Sequence, residues 1–305
     1  MVRAHPTVPI EISEEIATLC PSIAGLIFAQ ANMQMSADLS GSSMAGPPLL
    51  RLRDSDVIRV GRIWVPAREL PAALSRFTRL VFCLTDSDEH PYCLRGSSTS
   101  LRWRDSRLSF YTHHQVAGFQ LDKIAMPLDK DGKVLVSGST HIKMVPTGPS
   151  IGEEFGDLGA MHFRPEDFTE FNLDRAFFEL LEADLWRGDR DSAFIIYGYP
   201  TSLRNLEISE PAYALSHIRV KQVVTTARYV RPSNALGVHV VELEGQGEYS
   251  RDGLSGGPIF CLGQDAQGFF CGFAGIIMRG SEQSKLMHIL DARTMMQFMA
   301  RIASE

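Results

Sequence analysis

The feature that most constrains this fold is the texture of the chain after residue 78. Short apolar runs, "RLVFCL", "SLRW", "RLSFYT", "KVLVSG" and "HIKMV", follow one another with turn residues between them. Runs of this length, rich in β-branched and aromatic residues and bounded by Gly, Asp or Ser, read as strands. "DRAFFELLEADLW", 174–186, interrupts them with apolar residues at three- and four-residue spacing and an acidic start, which predicts a helix. Strand texture then returns in "AFIIYG", "IRVKQVVTTARYV", "GVHVVEL", "GPIF", "GFFCGFAGII" and "LMHIL". "ARTMMQFMARIA" closes the chain as a terminal helix. Many short strands with few helices point to barrels rather than a parallel α/β sheet. The expected architecture is mainly β, with two six-stranded antiparallel barrels. A partly helical extension covers 1–77, the first barrel 78–173, a connecting helix 174–188, and the second barrel with its C-terminal helix 189–305.

Within the extension, Ile12, Ile16 and Leu19 have helix-like spacing before Pro21, and "PARELPAALSRF", 66–77, predicts a short helix. "SADLSGSSMAGPP", 36–48, reads as a linker or exposed loop. "DKDGK", 129–133, lacks the further oxygen ligands of a calcium loop, so Asp131-Gly132 is expected to be a hairpin turn. A net charge of -6 argues against general binding to nucleic acid or anionic membranes. No apolar run approaches the roughly 20 residues of a membrane span. The first residues lack the apolar core of a secretion signal, and none of the five cysteines has CxxC spacing. A cytoplasmic protein with reduced thiols is expected, without metal or organic cofactor.

"RDGLSGGPIF", 251–260, sets one serine among three glycines and ends in a proline and an apolar pair. Glycine is favoured where φ is positive or where another group must come close to the backbone. "GLSGG" also fits G-x-S-x-G, but a nucleophile elbow passes from strand to helix. Gly256, Gly257 and Pro258 oppose a helix there, and "IFCL" continues as a strand. An elbow also needs its acid and histidine downstream, where only His288 remains.

Gly253–Phe260 resembles the active-site serine loop of the trypsin-like (chymotrypsin-fold) serine proteases, G-x-S-G-G-P followed by an apolar strand. The resemblance implies a chymotrypsin-like double barrel with Ser255 as nucleophile and the N–H groups of Gly253 and Ser255 as an oxyanion hole. Each such donor is worth about 3 kcal/mol in the transition state. A serine hydroxyl needs a histidine to take its proton and a carboxylate to orient that histidine. "LSFYTHHQV", 108–116, resembles the family's histidine-bearing strand end, with "GSSTSLRW" as the small-residue strand before it. His114 takes the family's place relative to the strand, and His113 competes from the opposite face. "GDLGAMHF", 156–163, resembles the family's Asp-Leu-Ala-apolar segment, although Gly159 departs from it. The step of 43 residues from His114 to Asp157 is near the family's interval of about 45. Asp174 is the rival and is expected to cap the connecting helix instead. "FIIYGYP", 194–200, resembles the apolar-Gly-Tyr-Pro segment early in the second barrel of many bacterial members, and "GFAGIIMRG", 272–280, resembles the strand and glycine bordering the substrate channel. A bacterial intracellular-type member is expected. The resemblance covers about 78–300 and leaves 1–77 outside.

The expectation is a serine endopeptidase acting on protein substrates through His114, Asp157 and Ser255. The alternative is a catalytically inactive protease-fold module that binds protein. Six residues before the nucleophile, where trypsin carries an aspartate, stands Tyr249. With Ala274 and Gly275 it is the candidate substrate pocket, expected to favour apolar or small residues, although Glu248 and Asp252 lie near in sequence. Zymogen-type members carry an aspartate just before the nucleophile; Leu254 occupies that place and cannot pair with a new N-terminus. A regulatory protein partner acting through residues 1–77 is the remaining expectation.

Overall fold

The computed structural model describes residues 10–13, 52–88, 90–128, 134–144, 156–190, 192–209, 214–244, 249–280 and 284–303. The linker at 36–48, the Asp131-Gly132 turn and Glu248 lie outside them.

Strand texture becomes strands. In the second half, Pro258–Asp265, Ala193–Gly198, Val223–Pro232, Val238–Leu243, Leu286–Asp291 and Gly268–Gly280 pair in that order. Gly268–Gly280 then pairs back onto Pro258–Asp265, closing a six-stranded barrel. Register shifts at Ile259/Phe260, Ile277/Arg279 and Tyr229/Arg231 supply the local bends that closure demands. The first half departs from the expected closed six. It is an open path of seven strands, Leu135–Val136, Ile124–Pro127, Thr78–Leu84, Tyr92–Trp103, Ser106–Thr112, Leu158–His162 and Thr140–Lys143. Its interior strand Thr78–Leu84 is buried along its whole length. Val81 and Cys83 enter one apolar cluster while Leu80, Phe82 and Leu84 enter another. Two buried faces explain why "RLVFCL" is a continuous apolar run instead of an alternating one.

The two halves share a core. Leu101, Leu108 and Phe110 of the first half join Tyr197, Phe260, Phe273 and Leu290 of the second in one cluster. The terminal helix Ala292–Ile302 seals it, burying Met295 and Met299 and setting Phe298 edge-on to Phe110 at 5.8 Å. Asp291 caps this helix, its carboxylate accepting from the Thr294 N–H at 2.7 Å.

The helix expected over 174–188 is not there. Leu173–Ala176 makes a single turn, Phe178–Glu179 pairs in parallel with Leu101–Arg102, and Glu182–Asp184 is a 3-10 turn. Phe177 is buried in one cluster and Phe178 in another, against Phe77 at 5.2 Å and Phe260 at 5.1 Å. Neighbouring residues that must bury in opposite directions suit the two-residue alternation of a strand, not a helix face. Asn172, not Asp174, caps the short turn, accepting from the Arg175 N–H.

The segment before 78 is also more integrated than an extension. Val57–Val60 pairs in parallel with Phe269–Cys271 of the closed barrel, and Ile63–Pro66 folds back on it as a hairpin. Arg59 reaches across to Asp184 at 2.7 Å and Asp265 at 2.7 Å. Ala67–Glu69 and Leu70–Ser75 form the short helix read at 66–77. Ile10–Ser13 is a strand beside Ile218–Lys221, where helical spacing was expected to begin.

Candidate active site

Three stretches meet where the halves join: the end of Ser106–Thr112, the start of Leu158–His162, and the loop 251–257. The first two are antiparallel neighbours, with Leu158 opposite Thr112, so the residues flanking them, His114 and Asp157, fall side by side. His114 Nδ1 lies 2.5 Å from Asp157 Oδ2, and the His114 N–H donates to Asp157 Oδ1 at 2.7 Å. The His113 N–H adds a bond to the Asp157 carbonyl. One carboxylate therefore grips both the ring and the backbone of His114, which fixes Nδ1–H as the bonded tautomer. That hydrogen bond raises the His114 pKa above the ordinary 6.5 against the opposing effect of burial, and the charges of Asp157 and Asp252 add to the rise. Burial and Lys143 push the His113 pKa down, and its Nδ1 is buried without a partner.

The rival carboxylate is engaged elsewhere. Asp174 accepts from Arg107 at 2.6 Å and lies 3.0 Å from Arg102, and the Arg107 bonds hold it below the usual carboxylate range. Its expected capping role passes to Asn172, and its charge is spent on two arginines.

The serine loop owes its shape to its glycines. Gly253 has φ +92° and Gly256 φ +82°, both in the region that side chains disfavour. A Cβ on Gly253 would lie 2.4 Å from the Tyr199 carbonyl oxygen, and one on Gly256 2.1 Å from that of Ser97. Leu254 is fully buried in the second-half core, as its apolar character implied.

Peptide planarity then fixes where the amides point, because a trans peptide aims its N–H opposite to the preceding C=O. The Asp252 carbonyl accepts from the Thr201 N–H at 2.9 Å, and the Leu254 carbonyl from the Gly257 N–H at 2.9 Å. Those two bonds orient the N–H groups of Gly253 and Ser255. Among the described residues neither of these N–H groups has an acceptor, whereas those of Leu254, Gly256 and Gly257 are bonded to carbonyls. Two free, fixed amides around a half-buried serine can receive a developing oxyanion.

The first half holds the loop from the other side. Ser97 Oγ donates to the Gly253 carbonyl at 2.6 Å and accepts from the Tyr199 N–H at 2.8 Å. Thr99 Oγ1 donates to the Gly256 carbonyl at 2.7 Å, and Gln115 Nε2 to the Ser255 carbonyl at 2.8 Å. Sequence reasoning missed Ser97, Thr99, Gln115 and Thr201. The available signal was "GSSTS", a run of hydroxyls inside a buried strand, since buried polar groups need partners. The Ser255 hydroxyl makes no hydrogen bond to His114 among the described residues. Tyr249 packs on the cluster containing Leu254, Ala274 and Ile277, and Gly275 stands opposite Ile259 in the adjoining strand pair. Three buried thiols offer no competing nucleophile: burial pushes Cys83 and Cys261 up to about 12 and Cys271 well above its ordinary value.

No family model matches the chain, and no curated protein matches it. Solved structures do resemble it. The scabies mite inactivated protease paralogue S-I1 is 13% identical with a TM-score of 0.46, over 76% of this chain and 96% of that one. The MamO protease domain of Magnetospirillum magneticum is 15% identical with a TM-score of 0.40, over 74% and 97%. Tobacco etch virus protease is 12% identical with a TM-score of 0.40, over 76% and 80%. With TM-scores below 0.5 these likenesses carry no weight of their own. The mainly β fold, a closed six-stranded barrel beside an open half-barrel of seven strands, stands on the strand order and register described above.

Proposed function

We propose that this protein is a serine endopeptidase in which His114, Asp157 and Ser255 act together. The observation that carries the reading is the 2.5 Å contact of His114 Nδ1 with Asp157 Oδ2, beside a serine loop tied to the next residue, Gln115. In the proposed reaction Ser255 Oγ attacks the scissile carbonyl while His114 Nε2 takes its proton, and the carbonyl oxygen moves into the N–H groups of Gly253 and Ser255. The imidazolium, stabilised by Asp157, returns the proton to the leaving amine, and water repeats the sequence on the acyl-enzyme.

The proposed substrate carries an apolar or small residue before the cut, because Tyr249 offers a ring and no anion and the cluster it packs on, which includes Leu254, Ala274 and Ile277, is apolar. The test is a peptide-library profile of the wild type against Ser255→Ala. Cleavage after apolar or small residues that Ser255→Ala abolishes supports the reading; a profile dominated by Lys or Arg contradicts the pocket assignment. One observation favours the second reading, a protein-binding module without catalysis: the unbonded Ser255 hydroxyl. Free enzymes often hold that bond long until substrate arrives, so the same profile separates the two. We further propose a cytoplasmic protein controlled by a protein partner through residues 1–77. Val57–Pro66 of that segment adds strands to the barrel that carries Ser255. No helix among the described residues is long and apolar enough to cross a membrane.

A further inference from the structure

We infer that Gln115 is the positioning residue that registers the nucleophile to the base across the two halves, an inference that rests on the hydrolase reading above. His114 follows a strand of one sheet and Ser255 precedes a strand of the other, so their alignment is not fixed by any shared strand. Gln115 follows His114 directly in the chain, and its amide nitrogen donates to the carbonyl of Ser255 itself at 2.8 Å. A single side chain thus spans from the base's own backbone to the nucleophile's.

Gln115 is held for that task. Its backbone carbonyl accepts from Arg95 Nε at 2.7 Å, and the Arg95 guanidinium lies over the Phe119 ring at 5.0 Å. Its amide lies against Gly96, where a Cβ would come within 2.2 Å of Nε2. The side chain is buried, and the orientation of its amide follows from chemistry: the Ser255 carbonyl can only accept, so nitrogen must face it. The Ser255 carbonyl and the Gly256 N–H share one peptide plane, and that N–H donates to the Ile277 carbonyl at 2.7 Å. The plane is therefore gripped at both edges, once from each half, and this sets the backbone from which Ser255 Oγ projects. The hydroxyls of Ser97 and Thr99 hold the carbonyls of Gly253 and Gly256, and the Ser255 carbonyl is left to Gln115.

The experiment compares full-length wild type with Gln115→Met, which keeps the volume and loses the donor, and Gln115→Glu, which when ionised sets lone pairs against the Ser255 carbonyl. Two readouts are taken on the folded fraction. The first is the rate of Ser255 modification by a fluorophosphonate, with kcat and KM on a cleaved peptide. The second is the Ser255 carbonyl carbon resonance, isolated by 13C′-serine and 15N-glycine labelling, since the chain holds only three Ser–Gly pairs, at 40–41, 137–138 and 255–256. The expected result is a shifted Ser255 resonance in both variants, a fall of about 10²-fold in modification rate and kcat, and KM within about threefold of wild type, because misplacement by about 1 Å costs that much in rate. A shifted resonance with unchanged rates overturns the positioning role, and an unshifted resonance overturns the hydrogen bond itself. A wild type inert to the probe with its partners supplied overturns the hydrolase reading. The resonance then still decides whether Gln115 holds the loop.

Discussion

At the scale of single residues, the site depends on which side chain each carboxylate meets. Asp157 meets an imidazole and a backbone amide, whereas Asp174 meets two arginines, and only the first arrangement can orient a base. Because the hydrogen bond to Asp157 raises the His114 pKa, the proposed base is neutral only at a pH above the ordinary imidazole value. The acid limb of kcat/KM should therefore fall above 6.5 and move down in Asp157→Asn, with turnover lowered about 10⁴-fold by the wrong tautomer. A limb unmoved in Asp157→Asn would remove Asp157 from the mechanism. Ser255→Ala and His114→Ala should each cost roughly four to six orders of magnitude in turnover, since such residues act as a unit. Normal cleavage by His114→Ala with a dead His113→Ala would transfer the role to His113. The chain order and spacing of His114, Asp157 and Ser255 were legible in the sequence. Gln115 was not, because its partner is a carbonyl 140 positions away, and backbone acceptors leave no mark in a sequence.

At the scale of elements, the serine loop and the lost helix illustrate what local pattern does and does not specify. The glycines of "GLSGGP" announce a tight loop because only glycine tolerates the positive φ at 253 and 256. Gly256→Ala should destabilise the protein by about 2 kcal/mol or more and abolish probe labelling, because its Cβ would collide with the Ser97 carbonyl. Equal melting temperature and labelling in that variant would mean the loop does not dock as described. The helix over 174–188 was misread because its apolar spacing satisfies two patterns at once. Long-range burial of Phe177 and Phe178 in different clusters decides between them, and that information lies in residues far along the chain. The terminal helix was legible because one face meets one core, with Met295 and Met299 inward and a capping Asp291 in front. Burial raises the Asp291 pKa, but bonds from His239 and Thr294 lower it further, to a net value below the usual carboxylate range. Its contribution to stability is present above the unfolded pKa and lost as pH falls through the folded one. Asp291→Ala should cost about 1 kcal/mol at neutral pH and flatten that acid-side loss, as measured by denaturant titration at several pH values.

At the scale of the whole molecule, the division into extension and barrels gives way to a more connected arrangement. The hairpin 57–66 belongs to the second sheet, and Arg59 pairs with an Asp184 whose side chain is only 4% exposed. Removing that arginine leaves a buried carboxylate unpaired, which typically costs about 3–5 kcal/mol. Arg59→Ala should therefore lower the melting temperature and speed amide exchange over 57–66; unchanged exchange would show the hairpin to be a passive attachment. A chain cut near residue 77 loses these strands, and position 254 offers a freed N-terminus a buried leucine instead of a carboxylate. Such a cut is therefore not expected to activate the chain, and the proposal is that the uncut chain is the reactive species, with its partner bound where one is required. The central claim is that Ser255 is a nucleophile activated by the His114–Asp157 pair. It is tested most directly by treating the uncut chain with a fluorophosphonate and locating the adduct by intact and peptide mass spectrometry. One adduct is expected, on Ser255, in the full-length species, and its loss in His114→Ala. An adduct confined to a form truncated near 77, one on a different residue, or no adduct on folded protein with its partners supplied, would contradict it.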